Sequence, residues 1–256
     1  MNVPFLLQSA LVVFIFMNVM YGLALWLKDN SIVDVGWGVG FMLIANTGLL
    51  HSGLALVPCL VYSAVMLWGF RLATYIYVRN HGNGEDYRYA AWRKAWGKYV
   101  ALRSYFQVFM LQGALMLVIA SPLYAAFSSN EQSLSWNVVL GALLFGIGLY
   151  FEAGGDAQMK AFKANAAYKG TIMRSGLWKY TRHPNYFGEA LLWWGIGLMS
   201  FEMETWYLSI IGPAVITFLL LKVSGVALLE RKYDGNPKYA DYVRTTNAFL
   251  PWWPKK

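Results

Sequence analysis

The stretch VPFLLQSALVVFIFMNVMYGLALWL runs from Val3 to Leu27 without a single charged residue. As a helix it would extend about 37 Å, more than the roughly 30 Å of a bilayer's hydrocarbon core. It is read as a retained helix and not as a signal peptide. It lacks a basic leader, runs too long, and offers no small-residue cleavage site before Trp26, Leu27 and Lys28.

Outward from this run, six further apolar stretches follow at 32–50, 54–78, 105–127, 137–153, 186–201 and 206–229. The expected fold is therefore all-α and polytopic, with seven transmembrane helices in one domain over 1–256. Composition agrees: 58% of the chain is hydrophobic and 13% charged, with a mean hydropathy of +0.41, where soluble chains carry roughly 25% charged residues. That balance excludes a soluble Rossmann enzyme, a secreted disulfide scaffold and a nucleic-acid-binding domain. Cys59 is the only cysteine, and His51, His81 and His183 are scattered, so no metal site is expected.

The net charge of +8 is explained by where the charges sit. Segments 28–31, 79–104, 154–185 and 230–256 hold 19 of the 21 Lys and Arg residues, Lys232 among them. The alternate loops hold none, and carry Glu131, Glu202 and Glu204. The positive-inside rule then puts the N-terminus outside and the C-terminus in the cytoplasm. The protein is expected in a bacterial inner membrane, in contact with membrane lipids, with no obligate protein partner and no nucleic acid.

Ionisable side chains inside spans are costly and face protein or a wet cavity. Asp34 opens the second span, and Arg71 lies in the third with Tyr75 one turn beyond. Either Asp34 and Arg71 form a structural ion pair or snorkel to the interface, or they line a cavity where a substrate carbonyl is polarised. Glu152, Asp156, Lys160 and Lys163 fall on one helical face that runs from the fifth span into the cytoplasm. A solvated helix face would have the same pattern. Segment 79–104, with Gly82 and Gly84 as hinges ahead of Glu85, Asp86, Tyr87, Arg88 and Tyr89, is expected to act as a lid.

The densest signal is RSGLWKYTRHPNYFGE, Arg174 to Glu189. Pro184 suits the first turn of a helix, and a helix N-terminus flanked by Arg174, Lys179 and Arg182 suits an anionic group. Asn185 and Glu189, one turn apart, are expected to point into the bundle and read a ligand's polar parts. Tyrosines and bases of the tail, from Glu230 and Arg231 through Tyr233 to Tyr242, could close over a nucleotide or could form an amphipathic interfacial tail. Gly36, Gly38 and Gly40 do not have dinucleotide-fingerprint spacing and are expected to permit close helix packing.

Segments 152–189 and 230–251 resemble the C-terminal half of the membrane-bound steroid 5α-reductase family, and the whole chain resembles its bacterial branch. The motifs that carry the likeness are Asp156 with Lys160, Arg174-Ser-Gly-Leu, Arg182-His183-Pro-Asn185-Tyr186-Phe-Gly-Glu189, and Asp241-Tyr242 before Leu250-Pro251. The same core motif occurs in sterol C14 reductases, which use NADPH, and in isoprenylcysteine carboxyl methyltransferases, which use S-adenosylmethionine. The resemblance implies that Asn185, Glu189, Asp156 and Tyr233 lie around NADPH. It departs in the N-terminal half, where the family's Gln-Glu pair is matched by Val33-Asp34 and its tyrosine by Trp68.

The expected activity is NADPH-dependent reduction of a double bond conjugated to a carbonyl in a lipophilic, steroid-like substrate. The cofactor half is about 137–256. Lys160, Lys163, Arg174 and Arg182 would hold phosphates, and Tyr180, His183, Tyr186, Glu230, Arg231 and Tyr242 would complete the pocket. Asp34, Arg71 or Tyr75 would stabilise the developing negative oxygen. The alternatives are a methyltransferase using S-adenosylmethionine and a non-catalytic lipid-binding membrane protein.

Overall fold

A computed structural model describes residues 3–52, 54–129, 132–231, 233 and 235–255. Glu131 and Lys232, counted in the charge distribution above, lie outside them. Among the described residues the chain is all helical. It divides into two compact units, Met1–Leu134 with Ser200–Ile211, and Ser135–Met199 with Gly212–Lys256.

Among the described residues, six helical runs are long and apolar enough to cross a membrane: 3–27, 32–51, 56–80, 87–119, 136–164 and 206–231. The expected sixth, 186–201, falls on a helix of 16 residues, Pro184–Met199. At about 24 Å it is shorter than a hydrocarbon core, because Pro184 fixes its start and it ends where Ser200 and Phe201 begin. The expected fourth span also shifts. Helix begins at Tyr87, not at 105, so much of the supposed loop 79–104 is helical.

In the first unit, α1 (Val3–Leu27) buries Phe5, Ser9, Val13 and Met17, a stripe of period four. Leu7, Leu11, Phe14 and Val19 on its other faces are exposed, as a lipid-facing helix requires. Helix α2 (Ile32–His51) is the hub. A Cβ on Gly38 would come within 2.3 Å of the Gly69 carbonyl oxygen on α3 (Leu56–Asn80). Gly36 and Gly40, on another face, abut Phe16 and Met20, and Met116 respectively. The glycines thus set interhelical distance, as expected of them.

Helix α4 (Tyr87–Trp96) starts where Asp86 accepts a hydrogen bond from the Arg88 N–H at 3.0 Å. It stops at Gly97, whose φ of +51° favours glycine. A short turn leads into α5 (Val100–Ser104), a π-helical stretch at Tyr105–Met110, α6 (Leu111–Ile119) and α7 (Ser121–Ala126).

The second unit is built on α8 (Trp136–Ala164) and α9 (Pro184–Met199), the most intimate helix pair in the chain. Gly141 and Gly148 on α8 meet Gly195 and Gly188 on α9, each pair seven residues from the next. A Cβ on Gly188 would lie 2.4 Å from the Gly148 oxygen, and one on Gly195 would lie 2.6 Å from the Gly141 oxygen. Helices α10 (Trp206–Phe218) and α11 (Val226–Arg231) flank a π-helical segment and a break at Ser224–Gly225. Helix α12 (Pro237–Thr245) is capped by Asn236, whose side chain accepts from Lys238 and Tyr239 N–H groups.

Candidate functional site

Two polar clusters stand out, one in each unit. In the second, α8 carries Glu152 and Asp156 one turn apart, 2% and 6% exposed. Gly155 beside them lets the start of α9 approach, since a Cβ there would lie 3.1 Å from the Asn185 nitrogen. Asn185 Nδ2 then donates to Asp156 Oδ1 at 3.1 Å. The other end of that amide, Asn185 Oδ1, is buried and receives no hydrogen bond among the described residues. A buried acceptor left without a donor is costly, and a ligand N–H or O–H would satisfy it. Glu189, one turn further along α9, is half-buried.

The segment between the helices is docked on α8 by its backbone and an indole. Leu177 N–H donates to Gln158 Oε1 at 2.9 Å, and Trp178 Nε1 donates to the Gly155 carbonyl at 3.1 Å. The tail closes over it from above: the Tyr242 hydroxyl donates to the Trp178 carbonyl. Burial pushes the Tyr242 phenol well above its ordinary range. Burial and the nearby Glu230 carboxylate push the Tyr239 phenol up to about 12.

Arg182 departs from expectation. It is 7% exposed, with Nε and Nη2 on Glu230 Oε1 at 2.9 and 2.8 Å and Nη1 on the carbonyls of Val243 and Thr246. These contacts tie Arg182 to the tail as a clasp. His183 Nε2 meets the same carboxylate oxygen at 3.1 Å, and its ring stacks on Tyr186. Arg174 is more accessible. It pairs with Asp241 at 2.7 Å and lies over the Tyr242 ring, beside an open cleft of about 520 Å³ lined by Thr171, Ile172, Arg174, Pro237, Lys238 and Asp241. Hydrogen bonds from Arg174 and Arg244 hold the Asp241 carboxyl below its usual range. Lys160 and Lys163 are exposed at the end of α8, as is Arg231 at the end of α11. Tyr180 packs against Trp253, and Tyr233 stacks on Tyr239 at 4.5 Å.

In the first unit, Asp34 is bound by a different arginine from the one expected. Arg88 Nη2 reaches Asp34 Oδ2 at 2.8 Å, and the Tyr89 hydroxyl donates to Asp34 Oδ1 at 2.6 Å. Gln112 Nε2 donates in turn to the Tyr89 hydroxyl at 3.3 Å. Arg71 and Tyr75 pair with each other, the guanidinium 5.9 Å from the ring centre. Arg88, Tyr89 and Gln112 were missed as site residues. Their signal was the charge run from Glu85 to Arg88, which packs at the head of α2 beside Asp34. Glu85 accepts from Asn30 N–H at 2.7 Å and from Arg93 at 2.8 and 2.9 Å, so the segment is pinned at the head of α2.

A family model described as a protein of unknown function (DUF1295) matches residues 20–246. An uncharacterized protein of Schizosaccharomyces pombe is 29% identical over 74% of this chain and 62% of its own length. Steroid 5-alpha-reductase DET2 of Arabidopsis thaliana is 32% identical over 46% of this chain and 42% of its own. The 3-oxo-5-alpha-steroid 4-dehydrogenase 1 of Bos taurus is 28% identical over 44% and 40% respectively. The chain thus spans under two thirds of each of these curated relatives. No solved structure matches.

Proposed function

The chain belongs to the DUF1295 family, within the steroid 5α-reductase superfamily, and on that premise we propose that it is an NADPH-dependent membrane reductase. Its substrate would be a lipophilic, steroid-like molecule with a double bond conjugated to a carbonyl. The cofactor would enter from the cytoplasm, and the membrane would be a bacterial inner one. NADPH, when bound, supplies a hydride.

The observation that carries this reading is the unsatisfied Asn185 Oδ1 beside Asp156. An amide oxygen and a carboxyl oxygen are acceptors, and suit the carboxamide N–H groups or ribose hydroxyls of a dinucleotide. Glu152 and Glu189 on the same two helices would add acceptors. Phosphates need cations, and Lys160 and Arg231 have no carboxylate partner among the described residues. Lys163 is exposed further along α8, and Arg174 would exchange Asp241 for a phosphate. S-adenosylmethionine carries no phosphate, so these cations favour the dinucleotide. Tyr180, Tyr186 and Tyr233 offer rings to its flat bases, while the buried Tyr242 ring lies under Arg174.

Hydride addition at the β-carbon of a conjugated double bond places negative charge on the carbonyl oxygen until a proton reaches the α-carbon, and a donor aimed at that oxygen lowers the barrier. Within the first unit the strongest candidate is the Tyr89 hydroxyl, whose one proton is donated to Asp34 in the free protein and would turn to the substrate oxygen on binding, with Arg88 keeping the carboxylate paired. Tyr75 with Arg71 is the second.

Binding of NADPH and of S-adenosylmethionine to the purified protein, with turnover of an enone lipid, tests the proposal. Asn185→Ala is expected to weaken NADPH binding by about tenfold, the worth of one hydrogen bond to a buried acceptor. Tyr89→Phe is expected to leave binding intact and slow turnover by at least 10². Binding of the methyl donor without NADPH would overturn it.

A further inference from the structure

The helical run Tyr87–Ile119 is 33 residues long, about 50 Å as continuous helix against about 30 Å of hydrocarbon. Its first third must lie outside the core or along its boundary. The chain turns there, with Gly97 at φ +51° and a 3-10 turn at Gly97–Tyr99 between α4 and α5.

One face of this segment is fixed inward. Arg88 is held on Asp34 and Asp86, and Arg93 on Glu85. Asn30 Nδ2 donates to Ser104 Oγ at 2.8 Å at the far end. Exposed along the segment are Trp92, Lys94, Lys98, Tyr99, Leu102 and Arg103. The arginines that face in are neutralised by carboxylates. Lys94, Lys98 and Arg103 have no carboxylate partner among the described residues, and Lys98 lies 5.1 Å over the Tyr99 ring.

We propose that this face, from Trp92 to Arg103, docks onto anionic phospholipid headgroups. Exposed Trp, Tyr and Leu side chains suit the boundary between headgroup and acyl chain, and unneutralised cations among them suit the phosphates. Exposed aromatic and aliphatic side chains interleaved with the cations fit a lipid surface better than a soluble anion. The inference is independent of the reductase reading.

The test uses the full chain in nanodiscs of phosphatidylcholine with increasing phosphatidylglycerol, reading lipids retained on release by native mass spectrometry. The wild type is expected to retain phosphatidylglycerol selectively. Lys94→Gln with Lys98→Gln and Arg103→Gln is expected to lose about fivefold in apparent affinity per cation removed. Its melting temperature in pure phosphatidylcholine should be unchanged, because none of the three holds a carboxylate. Lys94→Arg with Lys98→Arg keeps the charge and should retain the lipid, so a folding defect cannot pass for lost binding. Three results would overturn the proposal: equal retention of both lipids by the wild type, full retention by the triple Gln variant, or an equal loss on neutralising Lys169, Lys179 and Lys255 instead.

Discussion

Asn185 Nδ2 donates to Asp156 Oδ1 at 3.1 Å, tying the first turn of α9 to a carboxylate buried on α8. The bond depends on Gly155, whose missing side chain admits Pro184 and Asn185 to the surface of α8. It joins two motifs 29 positions apart, and orients the amide so that its oxygen is the end left over.

Removing that amide should be felt before any ligand is added. Asn185→Ala takes a donor from a carboxylate that is 6% exposed, at a cost of about 1–3 kcal/mol. Asp156→Asn preserves an acceptor for Asn185 and should cost less, under about 1 kcal/mol. Thermal unfolding of the two variants in detergent measures the difference. Equal losses would mean that the hydrogen bond is not what holds the helix start.

Arg182 separates a structural role from a ligand-binding one. Arg182→Gln breaks the clasp with Glu230 and with the Val243 and Thr246 carbonyls. Loss of one partner of a buried ion pair is expected to cost about 3 kcal/mol or more. The destabilisation should appear without nucleotide, and proteolysis should release the tail beyond residue 231 first. A variant that melts like the wild type but binds nucleotide poorly would restore Arg182 as a phosphate ligand.

The sequence discloses the apolar runs, the close-packing glycines and the helix start at Pro184, because each depends on residue type over a short window. The face Glu152–Asp156 was legible for the same reason: four positions on a helix repeat one face. What was not legible depends on pairings across long loops. Asp34 had two arginines in reach of inference, and the choice of Arg88 over Arg71 follows from how α4 folds back on the head of α2. The fate of Arg182 likewise rests on the tail, whose carbonyls lie more than 60 positions away. The bounds of α9 shifted by only two residues, from 186–201 to Pro184–Met199, because Pro184 starts the helix ahead of the apolar run.

Acid should loosen the head of α2. Burial pushes the Glu85 carboxyl up, but the Arg93 hydrogen bonds and the Asn30 N–H outweigh it and hold it below its ordinary 4.5. At Asp86, hydrogen bonds from the Arg88 side chain and backbone outweigh burial in the same way, against an ordinary 3.8. Both carboxylates therefore keep their charge in the folded state to lower pH than in the unfolded chain. Their stabilisation is full above about pH 4.5 and is lost as pH falls through the depressed folded values. Glu85→Gln should melt lower than wild type at pH 6 and show a shallower decline toward pH 3. Melting curves across that range would reveal parallel slopes if the carboxylate contributed nothing.

Glycine spacing on α8 supplies the sharpest contrast. Gly148→Ala puts a Cβ 2.5 Å from the Leu192 nitrogen and 2.6 Å from the Gly188 oxygen. Those are backbone atoms of the facing helix and cannot rotate away, so α8 and α9 must part, at about 1–3 kcal/mol or more. Separation also pulls Asn185 from Asp156, so the amide contact should be lost with the packing. Gly146, two residues earlier, has nothing within 4 Å of a built Cβ. There alanine only gains helix propensity, about 1 kcal/mol at most, and the protein should melt at or slightly above the wild-type temperature. Opposite signs at two glycines of one helix would tie stability to the α8–α9 approach. The same sign at both would mean that the two helices do not pack through these glycines.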